Sequence, residues 1–381
     1  MNGRSDSKPI DLRRITAPHV PAHRAAFATA LRGLAGQAAL DELTHAHRQL
    51  GTAADRAAAA AWLSTRLGSD LRPDCCVVTN GTLGALALLI EDRVPRGGVL
   101  LVEELCYAHA GRIAAAFGRR VEAVAMDREG CVPEALDRAC AAHAARALFC
   151  VPSVQNPTAA VMSLARRRAL VAIARKHDLA IIEDDAQGLF PDEAPPPLST
   201  LVPERSWYVM GLSKCLALGL RLAFTACPTA QAADRLREAA RNLTLCHCHA
   251  LSAAVATQWI ETGQATALHA AVRAEARQRW RIAMESLAKA GVSPPARHYP
   301  SLHLWLPVPS LEAECSAFEA LTTQGVLMRR GVEFASRTLT TAFGLRLSLS
   351  DAAHDQLEQA MGRVATAING SRLVTDHEQA S

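Results

Sequence analysis

Lys214 stands where a solvated lysine does not belong. It is one of only four lysines among 41 lysine and arginine side chains. Around it, Trp207-Tyr208-Val209-Met210 is an apolar β-type run, Gly211-Leu212-Ser213 a turn, and Cys215-Leu216-Ala217-Leu218-Gly219-Leu220 a second apolar stretch that ends at Arg221. Arginine does nearly all the surface cation work in this chain, so a lysine held among apolar residues points to amine chemistry. Lost hydration lowers the ammonium pKa and leaves a nucleophile that can carry a Schiff base. On this segment alone the alternative is a lysine that snorkels its charge to the surface.

Other groups with chemical capacity recur at the ends of β-type runs. Asn80-Gly81-Thr82-Leu83-Gly84 follows one run and opens a helical stretch, where free N–H groups and flexible glycines make a phosphate cradle. Taken singly this signal is weak, because any strand-to-helix turn favours glycine. Asn156 follows the run Ala147–Val151, Asp184-Asp185 follows Ala180–Glu183, and Arg221 lies seven residues after Lys214. A solvated turn or a metal-binding pair is the other reading of the two aspartates, and the purely apolar run before them disfavours the solvated turn. A nest, an amide, a strand-end carboxylate, a lysine and an arginine together suit pyridoxal 5′-phosphate. The lysine holds the aldehyde and the carboxylate keeps the pyridinium nitrogen protonated. The amide donates to the ring hydroxyl, and the arginine neutralises phosphate.

The elements that must position these groups alternate in type. Strands are expected at Cys76–Thr79, Gly98–Val102, Arg120–Ala125, Ala147–Val151, Ala180–Glu183, Trp207–Met210 and Ala223–Ala226. Helices are expected at Leu83–Asp92, Ala108–Phe117, Pro133–Ala142 and Ser163–His177, the last with Ser163 as N-cap and Leu170, Ile173 and Ala174 on one face. This alternation defines an α/β fold with a mostly parallel, seven-stranded, buried sheet between helices. Ligands in such sheets sit outside the carboxyl ends of the strands, where all of these groups fall. Beyond Thr229 the chain reads helical, with a long Arg-rich stretch at Ala267–Ala290, then strands near Leu302–Leu306 and Leu345–Leu349. The expected division is an N-terminal arm at 1–45, packing on the small domain or across a subunit interface, a large α/β domain at 46–265, and a small α+β domain at 266–381.

Composition narrows the function classes. The chain has 381 residues, is 50% hydrophobic and carries a formal charge of +4, which suits a globular protein with ample core. Arg166-Arg167-Arg168 is the longest run of positive charge and is expected on a solvated helix face. Nothing resembles a nucleic-acid footprint, a membrane span or a secretory leader. The 11 cysteines are therefore expected to be reduced, in a cytoplasmic protein. Cys246-His247-Cys248-His249 is contiguous, whereas a structural zinc site needs spaced pairs, so no metal is expected.

Three segments carry a family resemblance: Val78-Thr79-Asn80-Gly81; Val151-Pro152-Ser153-Val154-Gln155-Asn156-Pro157-Thr158 with Ile181-Ile182-Glu183-Asp184-Asp185; and Ser213-Lys214 through Gly219-Leu220-Arg221-Leu222. On these the chain resembles the fold-type I, class I/II aminotransferases, and most of all the aminotransferase domain of MocR-type proteins, over roughly Asp41 to Ser350. The resemblance implies that Lys214 is the Schiff-base lysine and Asp184 the pyridinium partner. It implies that Asn156 bonds the ring hydroxyl and takes part in substrate binding, and that Ser213, Arg221 and the backbone of Gly81, Thr82 and Leu83 hold phosphate. Tyr107 falls where the family stacks an aromatic ring on the cofactor, and Arg346 where it grips the substrate carboxylate, a bidentate task for a guanidinium. It further implies α-amino acid and 2-oxo acid substrates and a homodimer.

The chain departs from the family pattern at four places. Ala186 and Gln187 stand where a tyrosine reaches the ring hydroxyl, Ala46 (between His45 and His47) where a partner tyrosine reaches the phosphate, Gly211 where a serine is usual, and Ala159 where a glycine is usual. These losses keep a second possibility open, a lyase, decarboxylase or oxidase using the same cofactor. A regulator is a third, since MocR-type proteins carry a DNA-binding winged helix. Against it, fewer than about fifty residues precede the aminotransferase-like region, and they hold no basic recognition helix.

Overall fold

The seven expected strands pair into one sheet. They are β1 (Cys76–Thr79), β2 (Val99–Glu103), β3 (Arg120–Val124), β4 (Ala147–Cys150), β5 (Ala180–Asp184), β6 (Ser206–Gly211) and β7 (Ala223–Ala226). Their spatial order is β1-β7-β6-β5-β4-β2-β3. All neighbours run parallel except β7, which is antiparallel to both β1 and β6. This is a computed structural model, and it describes residues 8–36, 40–45, 47–292, 299–336 and 342–378. Ala46 lies outside them.

Side-chain alternation explains why both faces of the sheet are apolar. Val77, Leu100, Val102, Ala147, Phe149, Ile182, Val209 and Ala223 point to one side and pack with the helix Gly81–Arg93. Their neighbours on the other side split between two clusters. Cys76, Val78, Tyr208, Met210 and Phe224 meet the helices Ala53–Leu67 and Ala250–Glu261. Val99, Leu101, Leu148, Cys150 and Ile181 meet Pro133–His143 and Leu164–Lys176. A sheet covered on both faces has no polar stripe, so its strands read as continuous apolar runs. Ser163 caps the Leu164–Lys176 helix by accepting from Arg166 N at 3.2 Å, as its sequence position predicts.

A further apolar core joins Leu304, Leu306, Leu345 and Leu347 with Leu321, Leu357 and Met361. Its sheet places Phe343–Ser348 between His303–Val308 and Arg329–Arg330. Ile10 and Leu12 also belong to this core, and Ile10–Asp11 pairs in parallel with Val326–Leu327. The helix Ala22–Ala35 does not follow them. It packs on Trp259, whose Nε1 donates to Ala26 O at 3.2 Å, so the N-terminal segment divides between two cores rather than joining the small one alone.

The Arg166-Arg167-Arg168 run is not a uniformly solvated face. Arg167 is fully buried and donates to the carbonyls of Met162 and Pro152 at 3.1 and 2.9 Å and to Ser153 Oγ at 3.0 Å. Glu183 lies 3.8 Å away and balances its charge. A helix turn carries the middle of three consecutive residues toward the sheet while its neighbours face outward.

Candidate active site

The carboxyl edge of the sheet builds the site. Asp184 is the last residue of β5, and Lys214 lies three residues after β6, on the short helix Leu212–Cys215. Because β7 runs backwards between β1 and β6, the residues just before its start emerge at that same edge. Arg221 therefore joins Asn80 and Lys214 although it precedes a strand. Its backbone is left-handed, with φ of 46°, a conformation that costs a non-glycine residue energy and tends to occur at functional turns.

All ten residues expected at the site (Gly81, Thr82, Leu83, Tyr107, Asn156, Asp184, Ser213, Lys214, Arg221 and Arg346) line one cavity of about 1070 Å³. Gly81 opens the helix Gly81–Arg93 with φ of 74°, and the Asn80 side chain makes no capping bond. The first amides of that helix thus remain donors at the cavity wall, with the positive end of the helix dipole behind them. Gly211 has a packing reason to lack a side chain, since a Cβ there would stand 2.7 Å from Thr82 Cγ2.

Charge in the cavity is finely balanced. Burial lowers the Lys214 pKa, the Asp184 carboxylate opposes that fall, and the nearby Arg346 adds to it. Burial raises the Asp184 pKa, Lys214 pulls it back down, and Asp185 pushes it up again. Asp184 Oδ1 also accepts from Ala186 N at 3.2 Å, which fixes its orientation. Among the described residues the ammonium of Lys214 has no hydrogen-bond or ion-pair partner.

Arg346 comes from the small sheet and closes the cavity from the other core. It is 6% exposed, donates from Nη1 to Asn156 Oδ1 at 3.2 Å and from Nη2 to Arg13 O, and lies over the Phe334 ring at 5.0 Å. Among the described residues its buried Nε has no partner. Burial and the Arg329 guanidinium bring its pKa down to about 10, so it stays charged at neutral pH. The Asn156–Pro157 peptide is cis, and Gln155 knits this loop through Thr158 N and Leu105 O at 2.9 and 2.6 Å. Tyr107 is held by the contacts of its own segment, where Cys106 N donates to Phe334 O at 2.9 Å and Ser336 Oγ to Glu103 O at 2.8 Å.

This donor set suits a phosphorylated pyridoxal cofactor. An amine faces a carboxylate, uncapped helix amides stand beside Arg221, and an orphaned guanidinium N–H points to an acidic ligand. Sequence reasoning missed Arg13, Arg14, His109, Arg112 and Arg329, which line the same cavity. The Arg13-Arg14 doublet was the one available signal. Within Cys246-His247-Cys248-His249, His247 Nε2 lies 2.9 Å from Ala240 O and Cys248 Sγ donates to Arg48 O at 3.1 Å. All 11 cysteines are free thiols. Among the described residues no helix is long and apolar enough to cross a membrane.

Residues 25–364 match the aminotransferase class I and II family, and the chain belongs to it. It is 26% identical over 308 residues to the uncharacterized HTH-type transcriptional regulator YdfD of Bacillus subtilis, covering 79% of this chain and 63% of that one. It is 31% identical over 180 residues to the 2-aminoadipate transaminase of Thermus thermophilus, covering 46% and 44%. An archaeal alanine:glyoxylate aminotransferase superposes with a TM-score of 0.85 at 22% identity, over 96% of this chain and 92% of that one, which establishes the shared fold. The matches span 40%, 33% and 63% of the first three curated relatives, all HTH-type regulators of Bacillus subtilis.

Proposed function

We propose that the protein is a pyridoxal 5′-phosphate-dependent aminotransferase that moves an amino group between an α-amino acid and a 2-oxo acid. The observation that carries this reading is the meeting of Lys214, Asp184, Arg221, Arg346 and a helix N-terminus around one cavity. When bound, the cofactor supplies an aldehyde carbon and a cationic ring that takes up an electron pair. Gly81, Thr82 and Leu83 offer backbone amides to the phosphate, with Ser213 and the Arg221 guanidinium beside them. Asp184 holds a proton on the pyridine nitrogen, and Tyr107 covers the ring. Arg346 and Asn156 hold the substrate carboxylate, which fixes the Cα relative to Lys214. Burial lowers the ammonium pKa and so favours the free amine of Lys214 Nζ, the form that can take the Cα proton. A homodimer, a cytoplasmic location and the division into arm, large and small domains accompany this reading, the last supported by the separate apolar core around Leu345.

One observation favours a second reading. Gln187, in the place of the family tyrosine, is committed to His303 and Leu302 and so leaves the ring hydroxyl without that donor. Which substrate bond breaks depends on such contacts, so a lyase, decarboxylase or oxidase is the runner-up. The test is spectral and kinetic. Purified protein is expected to carry visible cofactor absorbance that Lys214→Ala abolishes, and turnover of an amino donor is expected to require an added 2-oxo acid. A colourless wild type after incubation with the cofactor rejects the cofactor reading, and product formation without an oxo acid rejects transamination.

A further inference from the structure

We propose that His23 and His269 are positioning residues for Lys214. From two different elements, each donates a ring N–H to a carbonyl just past the lysine, and together they hold its amine in the cavity. This deepens the aminotransferase reading, and only its kinetic test rests on that reading.

The turn that carries Lys214 cannot hold itself. The helix Leu212–Cys215 is only four residues long, and any helix leaves its last four carbonyls without partners of its own. Locally, the Leu212 carbonyl accepts from Leu216 N at 2.9 Å and Ala217 N at 3.2 Å. The carbonyls on either side of Lys214 are answered from elsewhere. Ala17 N donates to Ser213 O at 3.1 Å, His269 Nδ1 lies 3.0 Å from Cys215 O, and His23 Nε2 lies 2.7 Å from Leu216 O. A carbonyl can only accept, so each of those ring nitrogens carries the hydrogen. The other nitrogen of His23 agrees, since Nδ1 accepts from Val20 N at 3.1 Å.

The two rings are themselves fixed. His269 lies on the helix Gln264–Lys289, edge-on to the rings of Trp62 and Phe190, with centroids 6.0 and 5.8 Å away. Phe190 belongs to the segment that follows Asp184 and Asp185, so His269 touches both chain segments whose side chains meet in the site. His23 lies in the first turn of the helix Ala22–Ala35, tied to its own chain through Val20. The N-terminal segment thus does more than pack. Ala17 and His23 reach the lysine's turn, while the carbonyl of Arg13 accepts from Arg346. A lysine amine rides on a flexible four-carbon stem, so its place depends on a fixed backbone, and a displacement of about 1 Å can cost a large share of the rate.

The test uses the different reach of two amides. An asparagine places its amide nitrogen where Nδ1 of a histidine stands, and a glutamine places it where Nε2 stands, so the two bonds make opposite demands. His269→Asn and His23→Gln can keep them, whereas His269→Gln and His23→Asn cannot. The first readout needs no cofactor. Competitive acetylation of the cofactor-free, full-length protein across pH, read by mass spectrometry, gives the titration midpoint of Lys214, with Lys8, Lys176 and Lys289 as internal references. His269→Gln, His23→Asn and the leucine variants at both positions are expected to raise that midpoint by about one pH unit, as the freed amine gains hydration. His269→Asn and His23→Gln are expected to retain most of the wild-type value. The second readout is kinetic. The variants that lose a bond should lower kcat about tenfold while KM stays within about twofold, because Arg346 and Asn156 still hold the substrate. Where a leucine variant does not fold, the amide pair at that position decides. Equal midpoints for the two amides at either position overturn the proposal, and so does a loss carried by KM. The two readings fail separately. The expected midpoints in a protein that transfers no amino group remove the aminotransferase reading and leave the two positioning residues. Unmoved midpoints in an active aminotransferase remove this inference alone.

Discussion

Arg66 and Asp185 form a buried ion pair directly behind the candidate site, with Arg66 Nε donating to Asp185 Oδ2 at 3.1 Å. Tyr208 OH donates to the same oxygen at 2.9 Å, while Oδ1 is buried without a partner among the described residues. The pair fixes the turn that follows Asp184. A Cβ on Gly188 would stand 2.1 Å from Asp185 Oδ2, so the chain passes the carboxylate at a distance only glycine permits. The two adjacent aspartates thus divide the work, Asp184 facing the cavity and Asp185 anchoring the turn.

Removing one partner of this pair leaves a bare charge in the interior. Arg66→Ala is expected to lose about 3–5 kcal/mol of stability by urea unfolding. Adding Asp185→Asn should recover part of that loss, because the stranded carboxylate disappears with its partner. A single variant as stable as the wild type would show that water reaches Asp185.

Gln187 makes a comparable structural claim on the departure from the family tyrosine. Its Oε1 accepts from Leu302 N at 3.0 Å, and its Nε2 lies 3.2 Å from His303 Nδ1. His303 Nε2 is 3.1 Å from Gln155 O, and burial first, then Arg346, pulls the imidazole pKa down to about 3. The ring is therefore neutral and serves as a polar bridge between β-rich segments of the two cores. Gln187→Leu strands Leu302 N–H and the imidazole, and is expected to cost roughly 1–3 kcal/mol. Thermal unfolding checks it, and an unchanged midpoint would mean that these bonds carry no net stability.

Arg346 has a catalytic expectation. Its orphaned Nε and its bond to Asn156 Oδ1 at 3.2 Å leave the fork ready for a carboxylate. Arg346→Gln should lower kcat/KM for an amino donor by roughly 1.5–3 kcal/mol, or about 10- to 150-fold, chiefly through KM. Arg346→Lys is not expected to rescue it, since a single ammonium cannot replace the planar fork. Equal KM values in wild type and variant would remove Arg346 from substrate binding.

The large sheet was legible because strands buried on both faces appear as apolar runs between breakers, and their ends differ by only a residue or so from those expected. The candidate site was legible for a related reason, as its polar groups interrupt those runs at the carboxyl edge. What escaped notice lacks local pattern. Ile10–Asp11 is too short to show alternation, and its partner Val326–Leu327 is more than three hundred residues away. Arg167 reads as one member of a basic run until the helix turns it inward against Glu183. Arg112 and Arg329 look like ordinary exposed arginines, and only the tertiary fold brings them to the cavity that Arg346 also lines.

Glu103 tests the energetics of the sheet's carboxyl edge. It ends β2, is fully buried, and accepts from Val151 N at 3.1 Å and Gln155 Nε2 at 3.3 Å. Burial raises its pKa from 4.5 to about 8, against the pull of those donors. A folded-state pKa above the unfolded one means that the native protein holds the extra proton. The resulting stability is fully present below pH 4.5 and is lost as pH rises through about 8. The loss over that window is on the order of 4 kcal/mol. Glu103→Gln keeps an acceptor for both N–H groups and removes the titration. Urea midpoints measured between pH 5 and 8 should therefore fall less steeply in the variant, with the two curves diverging most at the alkaline end. Parallel curves would show that Glu103 ionises in the folded protein as readily as in the unfolded chain.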